Sequence, residues 1–314
     1  MKKIVFITGV NGFIGRNLCK YLTDRKHIVY GIDNFFSSKK TDLVYLNCKN
    51  FFFKEHSILN KDIFNFVDKN IDAVIHLAAQ TSVIRSLEEP KINQQINVDG
   101  FENIINQCKK RNVKKLIFAS SSAVYGDNRN LPLKECLKNL KPLSPYAISK
   151  LENEKIAQSN SNDIDFIGLR LFNMYGKTVG SKTSSNYAPV ISKWIDNFRN
   201  QKQCEIFGDG KSMRDFCFID DLCEFFELLL DNSKTYGIYN YCTNKPYSIK
   251  TLFFKIFDIF NSKKFFEIKF DKPIYLDEKP GEIKLSYGDN TLIERDFSYK
   301  PKTFLEQGLK KIIL

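Results

Sequence analysis

Histidine is scarce in this chain: three residues in 314, beside a single tryptophan and three methionines. Its eight cysteines contain no Cys-x-x-Cys pair, and with so few histidines they leave no cluster spaced for zinc, so no metal is expected. Scattered thiols of this kind fit a reducing compartment, with several of them in the core, and a cytoplasmic location is expected. No segment approaches the about eighteen consecutive apolar residues of a membrane span. The opening MKKIVFITGVNGFIG begins basic, but its apolar run is cut at Gly9, Asn11 and Gly12. It therefore reads as a first strand and not as a leader. Internal repeats and low-complexity tails are also lacking.

What is present suits a large folded unit. Hydrophobic residues make up 43% of the chain, enough for a sizeable core in one large or two unequal domains. The 48 Lys and Arg against 36 Asp and Glu leave a net charge of +12. The lysines are spread along the whole length, which suggests solvated faces and no nucleic-acid surface. Such a field still favours a doubly charged nucleotide as ligand.

Residues 2–8 form an apolar, β-branched run that predicts a buried strand. It breaks into Gly9-Val10-Asn11-Gly12-Phe13-Ile14-Gly15, followed by a helix to about residue 23. Strand, glycine turn and helix form the context that a phosphate-binding turn requires. Gly9 permits the tight turn, Gly12 the approach of a pyrophosphate, and Gly15 close packing of helix on sheet. Free amides at the helix start then meet the phosphates. The next strand, 27–32, ends at Asp33, a carboxylate placed to take both hydroxyls of an adenosine ribose. It would repel an extra phosphate there, which favours NAD over NADP.

Further strands are expected at 51–54, 71–77, 115–119 and 164–169, with helices at 61–69, 93–108 (carrying Asn97) and 146–158. His76 lies within VIHLAA and reads as a packed strand histidine. Ala78 and Ala79 are small where that strand would end above a cofactor. The alternation predicts an α/β fold, a Rossmann-type doubly wound parallel sheet. After Asn173 the pattern changes: a polar loop at 176–186, a helix at 190–199, then IFGDG and Arg214-Asp215-Phe216. Segments 216–219 and 238–241 are expected to return to the sheet. The expected division is a dinucleotide-binding domain at 1–173, with returning segments about 216–244, and a smaller substrate-binding lobe at 174–215 and 245–314. A cleft between them is the natural substrate site.

The chemistry centres on residues 116–150. LIFASSSAVYG ends a strand in Ser120, Ser121 and Ser122, and PLSPYAISK sets Tyr146 and Lys150 four residues apart. On a helix that spacing puts phenol and ammonium on one face. Hydroxyls facing such a pair can move a proton to or from a sugar hydroxyl. The same residues also fit a serine-rich turn before an ordinary helix.

TGVNGFIG, DNFFSS, HLAAQTSV, Asn97-Val98-Asp99-Gly100, SSSAVYG, SPYAISK, LRLFNMYG, IFGDGKSMRDF and PGEI follow one another along nearly the whole chain. Together they resemble the extended short-chain dehydrogenase/reductase family. Within it the chain is similar to the NAD-dependent UDP-hexose 4-epimerases, and closest to those acting on UDP-N-acetylglucosamine (UDP-GlcNAc). The resemblance implies bound NAD and inversion at C4 of a UDP-sugar through a 4-keto intermediate. Tyr146 would be the base, Lys150 would support its anion and hold the nicotinamide ribose, and Ser121, then Ser122, would sit nearest the C4 oxygen.

The resemblance further implies cofactor contacts at Gly9, Gly12, Phe13, Ile14, Gly15, Asp33, Asn34, Ser57, Ile58, Leu77, Ala78, Ala79, Asn97, Tyr146, Lys150 and Phe172. Ser57 stands where the family usually has an Asp toward adenine. Substrate contacts fall at Ser82, Ser121, Ser122, Ala123, Tyr146, Asn173, Tyr187, Arg214, Lys279, Glu282 and Ser286. Asn173 and Arg214 would grip the diphosphate. Lys279 replaces an Arg of that grip and loses its bidentate fork, and Glu282 replaces its Asp companion. Related sugar dehydratases carry an Asp–Glu pair where this chain has Ser122 and Ala123, and related decarboxylases keep the Glu, so both activities are disfavoured.

Ser286 stands where glucose-specific epimerases carry a bulky tyrosine, and a serine leaves room for an N-acetyl group. That favours UDP-GlcNAc and its C4 epimer UDP-GalNAc, with UDP-glucose/galactose, a uronate or a pentose as alternatives. A non-catalytic dinucleotide- or RNA-binding relative would be expected to lack Tyr146 or Lys150. A homodimer through 92–111 and 146–160 is expected, and polysaccharide synthesis is the usual destination of such sugars.

Overall fold

A computed structural model describes residues 1–38, 48–177, 179, 190–232, 237–263, 269–278 and 283–314. In the first half, strands β1 (Ile4–Thr8), β2 (Ile28–Asp33), β3 (Phe51–Glu55), β4 (Ala73–His76), β5 (Lys115–Ser121) and β6 (Asp165–Leu171) alternate with helices. These are α1 (Phe13–Asp24), α2 (Val83–Glu88), α3 (Pro90–Gln94), α4 (Gly100–Lys110) and α5 (Pro145–Ser159). The second half holds β7 (Asn173–Tyr175), α6 (Val190–Arg199), β8 (Glu205–Phe207), β9 (Met213–Phe218), α7 (Ile219–Asp231) and β10 (Gly237–Tyr241). It ends with β11 (Pro246–Ser248), α8 (Ile249–Lys263), β12 (Ile274–Leu276), β13 (Leu285–Ser286), α9 (Thr291–Phe297) and α10 (Leu305–Ile313).

The main sheet runs β3-β2-β1-β4-β5-β6-β10 with every pair parallel, the doubly wound sheet expected. Chain order reverses between β1 and β4, the switch point outside which open α/β sheets bind ligands. Side chains alternate between two cores, as period-2 strands require. Val5 and Ile7 pack with Leu18 and Leu22 of α1 and with Phe225 and Leu229 of α7. Phe6, between them, joins Phe64, Phe101 and Phe118 on the opposite face. The α7 end is closed by Lys115 of β5, whose Nζ donates to the carbonyls of Leu229 (3.0 Å) and Leu230 (3.2 Å), a cation on the negative helix end.

Two expected elements differ. Residues 61–69 form turns and no helix, although Ile63, Phe64 and Val67 are buried at helical spacing. The Phe64 carbonyl accepts from the Val67 amide in an i→i+3 turn (3.0 Å), and Arg111 pins that turn from outside, its Nη2 donating to the carbonyls of Phe64 (2.7 Å) and Val67 (3.0 Å). Residues 216–219 do not return to the main sheet. They belong to β9 and the start of α7, and β9 lies in a separate sheet with β11, β13 and β7. The 238–241 strand does return, as β10 beside β6. A third core of Trp194, Phe198, Phe253, Ile256 and Leu309 joins α6, α8 and α10.

Candidate active site

The glycine turn lies at the end of β1. Gly9 has φ +72°, and a Cβ there would lie 2.6 Å from the amide nitrogen of Ala78. A Cβ on Gly15 would lie 2.1 Å from the Gly9 carbonyl. Folding alone therefore demands both glycines. Gly12 is less constrained: its Cβ would meet the Gly9 oxygen at 3.3 Å, a tight contact but a milder one than at Gly9 or Gly15. It is also the N-cap of α1 and brings no side-chain acceptor to the first-turn amides of Phe13 and Ile14. Bare backbone beside a helix start suits a pyrophosphate.

Asp33 anchors the neighbouring corner. Its Oδ2 accepts from the Asn11 amide at 2.9 Å and its Oδ1 from the Phe35 amide at 2.8 Å, fixing the carboxylate at the end of β2. Burial pushes its pKa up, and these amides oppose the shift. Each oxygen keeps a lone pair for a ribose hydroxyl. Asn34 turns its Oδ1 to the Phe36 amide (3.2 Å). Ser57 caps a turn by accepting from the Leu59 amide (3.2 Å), and Ile58 is buried beside Gly100. The amides of Leu77 and Ala78 donate to Thr8 Oγ1 at 3.2 and 3.1 Å, which sets the end of β4 against Gly9. With two donors on its oxygen, Thr8 gives its own proton to His76 Nδ1 (2.9 Å). His76 is buried, and that burial pulls its pKa down to about 3, so it is a neutral structural ring, as expected.

Tyr146 and Lys150 lie in the first two turns of α5. Ser144 caps this helix by accepting from the Ala147 amide (3.2 Å), and Pro145 starts it. Lys150 Nζ lies 5.9 Å from the centre of the Tyr146 ring and donates to the Ala119 carbonyl of β5 at 2.8 Å. Burial lowers the Lys150 pKa to about 8. Burial raises that of Tyr146, and a hydrogen bond with Ser121 opposes the rise. The three serines separate by strand alternation. Ser120 points inward to Glu154, while Ser121 is with Tyr146 and also accepts from the Ala123 amide at 3.2 Å. Ser122 is half-buried at the start of the short turn Ser122–Tyr125, which also carries Ala123.

Asn97 sits in a wide helical turn, Gln95–Asp99. Its amide is shared among the Gln80 backbone (Nδ2 to O, 3.0 Å; Gln80 N to Oδ1, 2.8 Å), Asn93 Oδ1 (2.9 Å) and Ser149 Oγ (3.2 Å). Asn93 in turn donates to the Pro145 carbonyl at 3.1 Å. Asn97 thus ties the loop after β4 to the base of α5. The sequence reading missed Thr8, Asn93 and the buried Glu154–Arg170 pair (2.7 Å), since each works through a partner far along the chain. Glu154, four residues after Lys150 on the same helix face, was the available signal.

On the substrate side the second sheet gathers three expected residues. Asn173 of β7 stands opposite Phe216 of β9 and donates to the Asp215 carbonyl at 3.1 Å. Ser286 of β13 stands opposite Arg214 of β9, whose Nη1 reaches the Met213 carbonyl at 2.9 Å. Ser121 pairs with Leu171 of β6, two residues before Asn173, so Asn173 is about 7 Å of chain from the level of Ser121. Phe172 packs on Gly288, where a Cβ would meet its ring at 2.5 Å. Ser82 caps α2 by accepting from the Arg85 amide (3.2 Å). Tyr187, Lys279 and Glu282 lie outside the described residues. Among the described residues no group of side chains could hold a metal ion, and no helix is long and apolar enough to cross a membrane.

Residues 5–242 match the family model of the NAD dependent epimerase/dehydratase family. A solved UDP-N-acetylglucosamine 4-epimerase from Methanobrevibacter ruminantium, in complex with UDP-N-acetylmuramic acid, is 35% identical with a TM-score of 0.89, covering 100% of this chain and 98% of that one. A putative UDP-glucose 4-epimerase of Methanocaldococcus jannaschii is 33% identical over 99% of this chain and 97% of its own length. A UDP-glucuronate 4-epimerase of Thermodesulfobacterium geofontis is 32% identical over 98% and 94%.

Proposed function

The chain belongs to the NAD-dependent epimerase/dehydratase family, and from that premise we propose that it is a UDP-sugar 4-epimerase interconverting UDP-GlcNAc and UDP-GalNAc. NAD held at the glycine turn would supply the hydride acceptor and donor that inversion at C4 requires. The glycine turn and Asp33 hold the dinucleotide, and Tyr146 takes the proton of the C4 hydroxyl and later gives it back. Ionising a tyrosine near pH 7 takes about three pKa units, or about 4 kcal/mol. Burial raises that demand, and the Ser121 hydrogen bond lowers it. Lys150, still mostly protonated at pH 7 with a pKa of about 8, adds a positive charge that favours the phenolate. Neither Ser122 nor Ala123 offers a carboxyl group, so elimination of water has no acid or base at those positions.

The observation that carries the sugar assignment is Ser286, opposite Arg214 across β13 and β9. A short side chain there leaves space at C2 of a sugar whose diphosphate Arg214 and Asn173 hold. The 35% identity to a UDP-GlcNAc 4-epimerase supports the same reading. The relatives named for UDP-glucose and UDP-glucuronate support UDP-glucose as a second substrate, or a uronate as the alternative. In the same reading, 1–173 with the returning α7 and β10 forms the NAD-binding domain, and the UDP-sugar lobe takes 174–218, with β9 moved into it, and 245–314. The active species is a cytoplasmic homodimer.

The test is incubation of the purified protein with UDP-GlcNAc or UDP-glucose, without added NAD, and chromatographic separation of the epimers. UDP-GalNAc should form. Its absence removes the reading. Ser286→Tyr should lower turnover of the N-acetyl substrate selectively, and equal loss on both sugars would show that position 286 does not gate C2.

A further inference from the structure

Phe36 and Arg85 meet although nothing in the packing of the fold requires it. Phe36 follows Asp33 in the loop after β2, and Arg85 lies on α2 after β4. Strands β2 and β4 flank β1 on opposite sides, two strand spacings or about 10 Å apart. The glycine turn leaves β1 between them. A contact joining the two flanking segments therefore closes a ring over the crevice into which Gly9, Gly12 and Asp33 open.

That contact is specific. The Arg85 guanidinium carbon lies 4.2 Å from the centre of the Phe36 ring, and its Nε donates to Glu89 one turn on. Phe35 has the left-handed φ of 56° and packs inward on Phe53 with ring centres 5.8 Å apart. A non-glycine residue in that conformation is uncommon and marks a locally strained backbone just before Phe36. Phe36 is 36% exposed and the Arg85 side chain 31%, so core packing does not account for the pair. The same loop is tied to the glycine turn by Asn11 Nδ2, which donates to Ser38 Oγ at 2.8 Å.

We infer that Phe36 and Arg85 form a strap that retains the dinucleotide between the two halves of the reaction. An epimerase must keep its reduced cofactor while the keto sugar turns over, because loss at that point strands the intermediate. A cation–π contact at a half-exposed site opens far more readily than buried packing, so the strap admits NAD once and then slows its departure. The inference rests on NAD occupying the glycine turn, independently of which sugar is used.

The main arm of the test therefore contains no sugar. Purified holoenzyme is mixed with nicotinamide-labelled NAD, and exchange of the bound cofactor is followed for wild type, F36A, R85Q and the double variant. Loss of the contact should speed exchange about five- to tenfold. The double variant should be no faster than either single, since both remove one contact. R85K, which keeps the charge without the flat guanidinium, should fall between. Melting temperatures with saturating NAD check the fold, and F36L, which keeps apolar bulk, replaces any variant that fails to fold. Wild-type exchange rates in both single variants overturn the strap, as does full additivity in the double variant. In a separate arm with the turned-over sugar, the variants should release free NADH, seen by its fluorescence. Sugar identity affects only that arm.

Discussion

Burial pushes Tyr146 and Lys150 in opposite directions on the pH scale, and both toward their neutral forms. A phenol in that environment becomes a base only with a positive partner beside it, which is why the four-residue spacing matters. Tyr146→Phe removes the proton acceptor and leaves the glycine turn and Asp33 untouched. Turnover should fall about 100- to 10,000-fold, the usual worth of a positioned acid or base. The content of bound NAD, measured after acid release, should stay at the wild-type level. Near-normal turnover would sink the assigned base.

His76 makes a second case at a single side chain, this time through stability. Its pKa is about 3 in the fold, against 6.5 for the free ring, so between these values the unfolded chain binds the extra proton. Stability must then fall as the pH drops below about 6.5, by about 1.4 kcal/mol per unit from this group. His76→Asn keeps an acceptor for Thr8 and should flatten that part of the curve in denaturant titrations between about pH 4 and 7. Parallel curves for the two proteins would mean that His76 does not set the acid limb.

Among the helices and strands, α5 is the piece that has to be held, since it carries both side chains proposed as catalytic, Tyr146 and Lys150. Glu154 and Arg170 fix it to β6 with side chains only 6% and 5% exposed, and Ser120 of β5 donates to the same carboxylate. Arg170→Met leaves that carboxylate buried without its partner, at a cost of about 3–5 kcal/mol. Adding Glu154→Gln should recover most of it in urea unfolding. A double variant as unstable as the single would show that the charge pair is not the source.

Strands, glycine turn and the Tyr–Lys helix were legible because each is written in a local pattern of two, three or four residues. Residues 61–69 misled because Ile63, Phe64 and Val67 keep helical spacing while Arg111, far along the chain, pins the turn from Phe64 to Val67 from outside. Residues 216–219 misled because an apolar strand does not say which sheet it joins. Asn97, a cofactor contact by the motif, has a second role that the motif does not show: its hydrogen bonds brace Gln80, Asn93 and Ser149.

For the assembled protein, the proposed homodimer has to be built from what α4 and α5 present to solvent. Gln95 and Asp99 of the wide turn, with Glu102 and Asn106 of α4, form a polar outer face. On α5, Ile148 is 51% exposed, with Leu151 half-buried one turn on. A two-fold interface is isologous, so each exposed group meets the same patch on the second copy. Such an interface needs an apolar centre inside its polar rim, and Ile148 is the candidate on these helices. Ile148→Glu would place an acid on the same surface as Glu152, and across the two-fold again in the partner, opposing association twice over. Sedimentation should show a dimer for wild type and a shift toward monomer for the variant, with bound NAD unchanged because the crevice lies within one chain. A variant that sediments with the wild type would place the interface elsewhere, and a monomeric wild type would remove the dimer altogether.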